Sequence, residues 1–393
     1  MRLLRTRPAF AALWYARLIS FLGDSLERVA LILYVARSGD AAAVGLLLLA
    51  AEFVPPLFGP LTGAIADRVA SKRRLLVACE LLQGAVILAI ALAAPPLAVL
   101  LPLVAVRNLV GNAFQPAARA SIPDLVEDEE LDRANALLGF GTFGLDAVGP
   151  IVAAVLLRFV DVREILLFDA ATFLAGALLL LRLPVLSAAP REEETRLRTD
   201  VWEGITYVLR DRFLRSLVLG FSAVVVCTGV DDVALVFFAG ETLHAGEQTA
   251  SLLYAGSGMG LLLGFLLLAR RAPRASAAFV VGLTVSAAGN ALTGLSGVAA
   301  LALTFQVVRG LGVALTDIGH TNLIQRNVPA HLRGRAFANL YAALGISVGI
   351  AFGAGGPVVD AVGGRTALIA SGALGVVAAL VTAATLGTPA ERR

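Results

Sequence analysis

Asp24, Glu27, Glu52, Arg107 and Asp146 stand inside long apolar stretches of the first half of this chain, and Asp231, Asp232 and Arg309 do so in the second. An ionisable group near the middle of a bilayer costs about 2.5–3.5 kcal/mol on insertion scales, so it normally faces a cavity or a partner. Asp24 and Glu27 share a helix face at i, i+3 spacing, and Arg107 and Asp146 are central in their own stretches. Burial and a neighbouring arginine act in opposite senses on a carboxyl's hold on its proton, so a moving arginine can switch that hold. The chemistry available is therefore proton binding and release by Asp24, Glu27, Glu52 or Asp146 beside Arg107. A fixed carboxylate–arginine pair that holds helices together is the alternative, and spacing leaves both open. Asp231 and Asp232 point about 100° apart on a helix, so one can face a cavity and attract a cationic substrate or a proton. Polar residues near the outer interface are an equally good account of them. Asp317 and His320, at i, i+3, read as a water-contacting pair near a helix end, and Asp169, toward the outer part of its stretch, receives no role.

The elements that must position these groups follow from composition. The 393 residues are 58% hydrophobic and 16% charged, with mean hydropathy +0.83. A soluble domain carries roughly 45–50% apolar and about 25% charged residues, so the excess needs lipid as its solvent. Twelve stretches approach bilayer length, at about 10–35, 43–66, 75–94, 97–121, 134–157, 164–183, 214–239, 248–269, 275–297, 299–322, 336–359 and 365–387. Hydrocarbon offers the backbone no hydrogen-bond partner, and these stretches are too long for barrel strands, so each is a helix. The expected fold class is an all-α integral membrane protein with twelve transmembrane helices.

Basic residues accumulate on the cytoplasmic side. With both termini cytoplasmic, only Arg37, Arg158, Arg163 and Arg365 fall in outer loops, and Arg17, Arg28, Arg107 and Arg309 lie within segments. The remaining basic residues are all inside, which places the protein in the cell (plasma or inner) membrane as a multi-pass chain. The N-terminal run is a membrane segment rather than a cleaved leader, because Arg17 and Asp24 interrupt its apolar core.

The two halves repeat weakly, in parallel, at an offset of about 202 to 207 residues. Arg107-Asn-Leu-Val-Gly111 answers Arg309-Gly-Leu-Gly312, Ala134-Asn135 answers Ala338-Asn339, and Gly149-Pro150 answers Gly356-Pro357. Residues 1–183 then form one six-helix bundle and 214–393 another. The interval 184–213 reads as a cytoplasmic linker carrying a surface-lying amphipathic helix, with Asp200 and Glu203 at capping-box spacing and Val201, Trp202, Ile205, Val208 and Leu209 on one stripe. A solvated linker that happens to be amphipathic is the competing account. Gly256, Gly260 and Gly264, and again Gly345, Gly349 and Gly353, make small-residue ridges suited to close helix packing, static or rocking.

Gly63-Ala-Ile-Ala-Asp67-Arg68 followed by Lys72-Arg73-Arg74 resembles the first cytoplasmic loop of the major facilitator superfamily, with Ala70 where a second glycine is usual. Leu22-Gly23-Asp24, Ala51-Glu52-Phe53-Val54-Pro55, Ile122-Pro123-Asp124-Leu125-Val126, Gln325-Arg326-Asn327-Val328-Pro329 and Arg333-Gly334-Arg335 resemble its drug and macrolide efflux branch, the drug:proton antiporters, which includes bacterial siderophore exporters. The resemblance spans nearly the whole chain. It implies the major facilitator fold, and conformational gating by Gly63, Asp67, Arg68, Gly149 and Pro150. It also implies proton transfer at Arg107, since Arg107-x-x-x-Gly111 keeps the family's spacing. The antiporter signature of segment five is partly present, with Gly149-Pro150 in place but Leu145 and Ala153-Ala154 where glycines are usual.

The implied function is secondary active transport, a proton-coupled efflux of amphipathic small molecules by alternating access. Import or uniport of a small metabolite, or siderophore export, are the alternatives. Asp231, Asp232 and Arg309 are the candidate substrate-cavity residues of the second half. No GxxxxGK[ST] phosphate loop is present, so the energy source is a gradient. Cys79 and Cys227 lie in apolar runs, and His244, His320 and His331 lack ligand spacing, so neither enzyme chemistry nor a metal or other cofactor is expected. The expected partners are a small-molecule substrate, protons and membrane lipid. The sequence pI of about 9.2 reflects loop arginines rather than a nucleic-acid surface.

Overall fold

A computed structural model describes residues 2–58, 71–127, 159–184, 210–268, 274–329 and 333–386. Residues 69, 130, 131, 134, 137, 148–153 and 155–157 are described besides. Gly63, Asp67, Arg68, Asp146 and the predicted linker helix around Trp202 lie outside the described residues. Every described element is helical.

The chain divides into two compact units, Met1–Gly39 with Leu46–Glu192 and Asp40–Gly45 with Glu193–Arg393. In the first unit, α1 (Pro8–Ala36) starts on a proline, whose missing N–H is no loss at the first helical position. α2 (Ala41–Leu48) belongs to this unit only from Leu46 on and runs into a wide turn at Leu49–Phe53, closed by the Val54 amide on the Leu49 carbonyl. Pro55 and Pro56 follow at once and donate no amide hydrogen bond, which favours such local widening. Glu52 sits in that turn. α3 (Lys72–Ala93) is capped by Ser71, whose hydroxyl accepts from the Arg74 amide at 3.4 Å, and ends at Ala94 in the left-handed conformation, φ 42°. α4 (Leu97–Ser121) follows, and α5 (Val162–Leu180) opens on an Asp161/Glu164 capping box, with the Asp161 amide donating to Glu164 Oε2 at 2.8 Å. α5 packs on α1 and on α3, and α3 on α4. Phe10, Leu13, Leu76, Phe114 and Leu180 fill the apolar core at one end.

In the second unit α6 (Arg212–Thr228) starts at Asp211, whose carboxylate accepts from the Phe213 and Leu214 amides at 2.9 and 3.0 Å. The helix breaks at Gly229-Val230 and resumes as α7 (Asp231–Phe237), so Asp231 opens a helix rather than standing mid-helix. α8 (Glu247–Leu268), α9 (Ala275–Leu295) and α10 (Ala299–Asn327) follow, then α11 (Arg333–Thr385), in which two helices meet across a kink at non-helical Gly363, φ 78°. α10 packs against α8 and α9, and α11 against α6, α7 and α9.

Seven helical stretches among the described residues are long and apolar enough to cross a membrane, from Lys72–Ala93 to Asn339–Thr385. α1 and α5 are of spanning length too but carry the charges of interest, Arg17, Asp24, Glu27 and Arg28 on α1 and Asp169 on α5. Leu92, Leu174, Leu266 and Val377 are more than half exposed, an arrangement that suits hydrocarbon and would be an aggregation liability in water. This is a multi-pass membrane protein.

The α8 glycine ridge is a packing seam. A methyl at Gly256 would meet Leu303 Cδ1 at 2.7 Å, one at Gly264 would strike Ala314, and one at Gly260 would run into the Val307 carbonyl and the Gly310 backbone. Backbone cannot rotate away, so Gly260→Val is expected to prise α8 from α10 at a cost of about 1–3 kcal/mol or more. A lower midpoint in detergent thermal unfolding checks it, and an unchanged midpoint would deny the seam its role. The α11 series differs: a methyl at Gly345 would meet open space.

Candidate functional site

Asp24 and Glu27 lie one turn apart on α1, and Arg107 of α4 reaches both. Arg107 Nη2 binds Asp24 Oδ1 and also Glu27 Oε2, the latter at 2.7 Å. Its Nη1 donates to Asn108 Oδ1 at 3.0 Å, and its guanidinium lies 5.3 Å from the centre of the Phe173 ring on α5. The side chains of Arg107 and Glu27 are 8% and 4% exposed, whereas that of Asp24 is 24% exposed. The cluster is therefore buried on one side and open on the Asp24 side. Gly111, four residues after Arg107, admits Gln83 of α3, whose Oε1 would lie 2.9 Å from a methyl at that position.

The open side is a cavity of about 210 Å³ within the first unit. Asp24, Glu27, Arg28, Glu52, Arg107 and Asn108 are its polar wall, and Phe21, Leu31, Ile32, Leu47, Leu48 and Val104 are among its apolar residues. Glu52 pairs with Arg28 at 2.7 Å rather than with Arg107. The wall thus holds three carboxylates and two arginines in a mostly apolar setting.

Behind that wall stand two acids. Asp169 of α5 is fully buried, and one carboxylate oxygen from each of Asp24, Glu27 and Asp169 lies within 4.8 Å of the others. Glu80 of α3, also buried, accepts from Ser20 Oγ at 2.6 Å. Asp169, which its position in the sequence leaves without a role, lies against the cluster: α5 approaches α1 closely at Gly23, where a methyl would strike Asp169 Oδ1 and Thr172 Oγ1. Gly149 likewise leaves no room for a methyl beside Ser25 of α1. Pro150 adjoins it, half-buried.

The second unit has a simpler counterpart. Arg309 Nη2 binds Asp231 Oδ2, and Nη1 donates to Ser257 Oγ at 2.6 Å. Asn290 Nδ2 donates to Asp231 Oδ2 at 3.4 Å. Asp24 and Asp231 stand at the repeat offset, as do Arg107 and Arg309, so an acid–arginine pair recurs at corresponding positions of the two halves. Asp232 is half-buried, and its backbone carbonyl takes the Tyr254 hydroxyl. His320 is buried, its Nδ1 3.0 Å from the Thr316 carbonyl and its ring beside Phe221 and Tyr341, which corrects the water-contacting reading.

The family model of the Major Facilitator Superfamily matches residues 13–275 and 232–393. The chain belongs to that superfamily. It is a transporter by family and not an enzyme. Among relatives, the transporter is 23% identical over 398 residues to an uncharacterized MFS-type transporter, YfiS, of Bacillus subtilis, covering 97% of this chain and 94% of that one. It is 25% identical over 381 residues to the multidrug efflux pump Tap of Mycobacterium tuberculosis, covering 91% and 88%. The crystal structure of nucleoside transporter NupG superposes with a TM-score of 0.72 at 15% identity, over 97% of this chain and 99% of that one, a likeness of fold.

Proposed function

We propose that this transporter is a proton-driven exporter of amphipathic, cationic small molecules in the cell membrane. Both termini are cytoplasmic in this reading, and twelve spans form two six-helix halves that expose the binding cavity to the two sides in turn. The observation that carries it is the Asp24–Glu27–Arg107 cluster at the wall of a largely apolar cavity. Ionisable groups within a membrane span are expensive, and where they occur they mark substrate or ion pathways. One carboxylate beyond the arginines favours a ligand that brings a positive charge, and Phe21, Leu31, Ile32 and Val104 favour one with an apolar body. Similarity to a multidrug efflux pump over nine-tenths of the chain supports export. Gly63, Asp67, Arg68, Gly149 and Pro150 are proposed to govern the conformational change, Asp146 to join the proton path, and Asp231, Asp232 and Arg309 to serve the substrate path.

The test is accumulation of a permanently charged aromatic cation, ethidium, by proteoliposomes that are acidic inside. Antiport predicts accumulation while protons leave, and its collapse when a protonophore removes the gradient. Ethidium movement indifferent to the gradient would overturn proton antiport and leave uniport or import.

A further inference from the structure

Asp169 is absent from the cavity wall that Asp24, Glu27 and Arg107 share, yet its carboxylate lies against theirs. Its Oδ1 takes the Thr172 hydroxyl at 3.2 Å, while buried Oδ2 receives no hydrogen bond from any described residue. One oxygen of the Glu27 carboxyl lies within 4.8 Å of one of Asp169. Two buried carboxylates that close repel each other unless one of them carries a proton. The surrounding charges make the same demand. From α1 the pair faces Asp24, from α4 Arg107, and from α3 Glu80 stands nearby, its own carboxylate taking the Ser20 hydroxyl. Asp146 lies outside the described residues. Asp24, Glu27 and Asp169 thus press three negative charges on one guanidinium, and buried like charges this close do not all ionise. The site is also built for the approach. Gly23 leaves the space that Asp169 occupies, and Gly176, two turns along α5, does the same for Glu80, whose Oε2 would lie 2.5 Å from a methyl there.

We propose that Glu27 and Asp169 form a proton-sharing carboxyl pair, with Asp169 the buried holder of the proton and Glu27 the face that exchanges it with the cavity. The proposal deepens the coupling reading above by adding a residue behind the wall. The proton sits in an O–H···O bond between the two side chains, and on release passes from Glu27 to water in the cavity. Both groups are then anionic beside Arg107.

Infrared spectroscopy of the full-length protein in lipid decides it. The wild type is expected to show a protonated-carboxyl stretch at neutral pH that shifts in heavy water, with one carboxyl's intensity lost in Asp169→Asn. The amide of that variant can donate permanently to Glu27, so Glu27 stays ionised. Glu27→Gln is expected to lose the same band by the converse route. A wild type with no such band, or a band untouched in both folded variants, overturns the pair. The wild-type spectrum decides even where a variant fails to fold. Vesicle transport separates this from the coupling reading. A band present and lost as described in a protein whose ethidium transport ignores the pH gradient would keep the proton pair and sink the antiport. Gradient-driven transport with no band would do the reverse.

Discussion

Arg107→Ala is expected to cut pH-gradient-driven ethidium accumulation about a hundredfold or more, while Arg309→Ala costs far less. Removing one partner of a buried ion pair leaves an uncompensated charge worth about 3–5 kcal/mol, and the protein escapes that cost by holding a proton instead. At Arg107 the escape is fatal to coupling. Asp24 and Glu27 both depend on it, and Asp169 crowds them, so without the guanidinium the acids keep their protons and none is released. Arg309 faces a lighter demand. Its partner Asp231 also receives Asn290 and the Asp232 amide, the latter at 3.0 Å, so a neutralised Asp231 stays held. Initial rates in vesicles matched for protein content check the contrast. Equal losses in the two variants would mean that both pairs are structural braces.

Asp24→Asn is expected to abolish uphill accumulation and to leave downhill exchange of labelled ethidium intact. Asparagine keeps the volume of the side chain and still accepts from Arg107, so the helix packing survives. What goes is the ionisable group at the open edge of the cluster, the one with a quarter of its side chain exposed. Transport then continues without a proton to follow. Counterflow against gradient-driven uptake separates the two activities, and unaltered uphill transport would remove Asp24 from the coupling set.

The cluster's outline is legible in the chain because lipid makes charge conspicuous. Asp24, Glu27 and Arg107 stand out in apolar runs, the first two on one helix face, and the structure brings them together. The repeat offset matches Arg107 with Arg309 but does not name an acid for Arg309, and the structure supplies Asp231. Depth within a helix is a poorer guide. Asp169 looks peripheral when placed by its distance from the start of α5, since that distance says nothing of which neighbour approaches. The signal for it lies in Gly23 on another helix, and a glycine opposite an acid means nothing until the helix pairing is known. Spacing groups Glu52 with Arg107, but its partner is Arg28, next in sequence to Glu27 and turned about 100° from it. The break before Asp231 is hidden because Gly229-Val230 sits in an otherwise continuous apolar run.

The most direct test of a coupled carboxylate cluster is to record interior pH in dye-reporting vesicles when ethidium is added outside with no gradient imposed. Ethidium entering should drive protons out and raise the interior pH in the wild type, with no response in Asp24→Asn. An interior pH that stays flat in the wild type while ethidium enters would contradict the account.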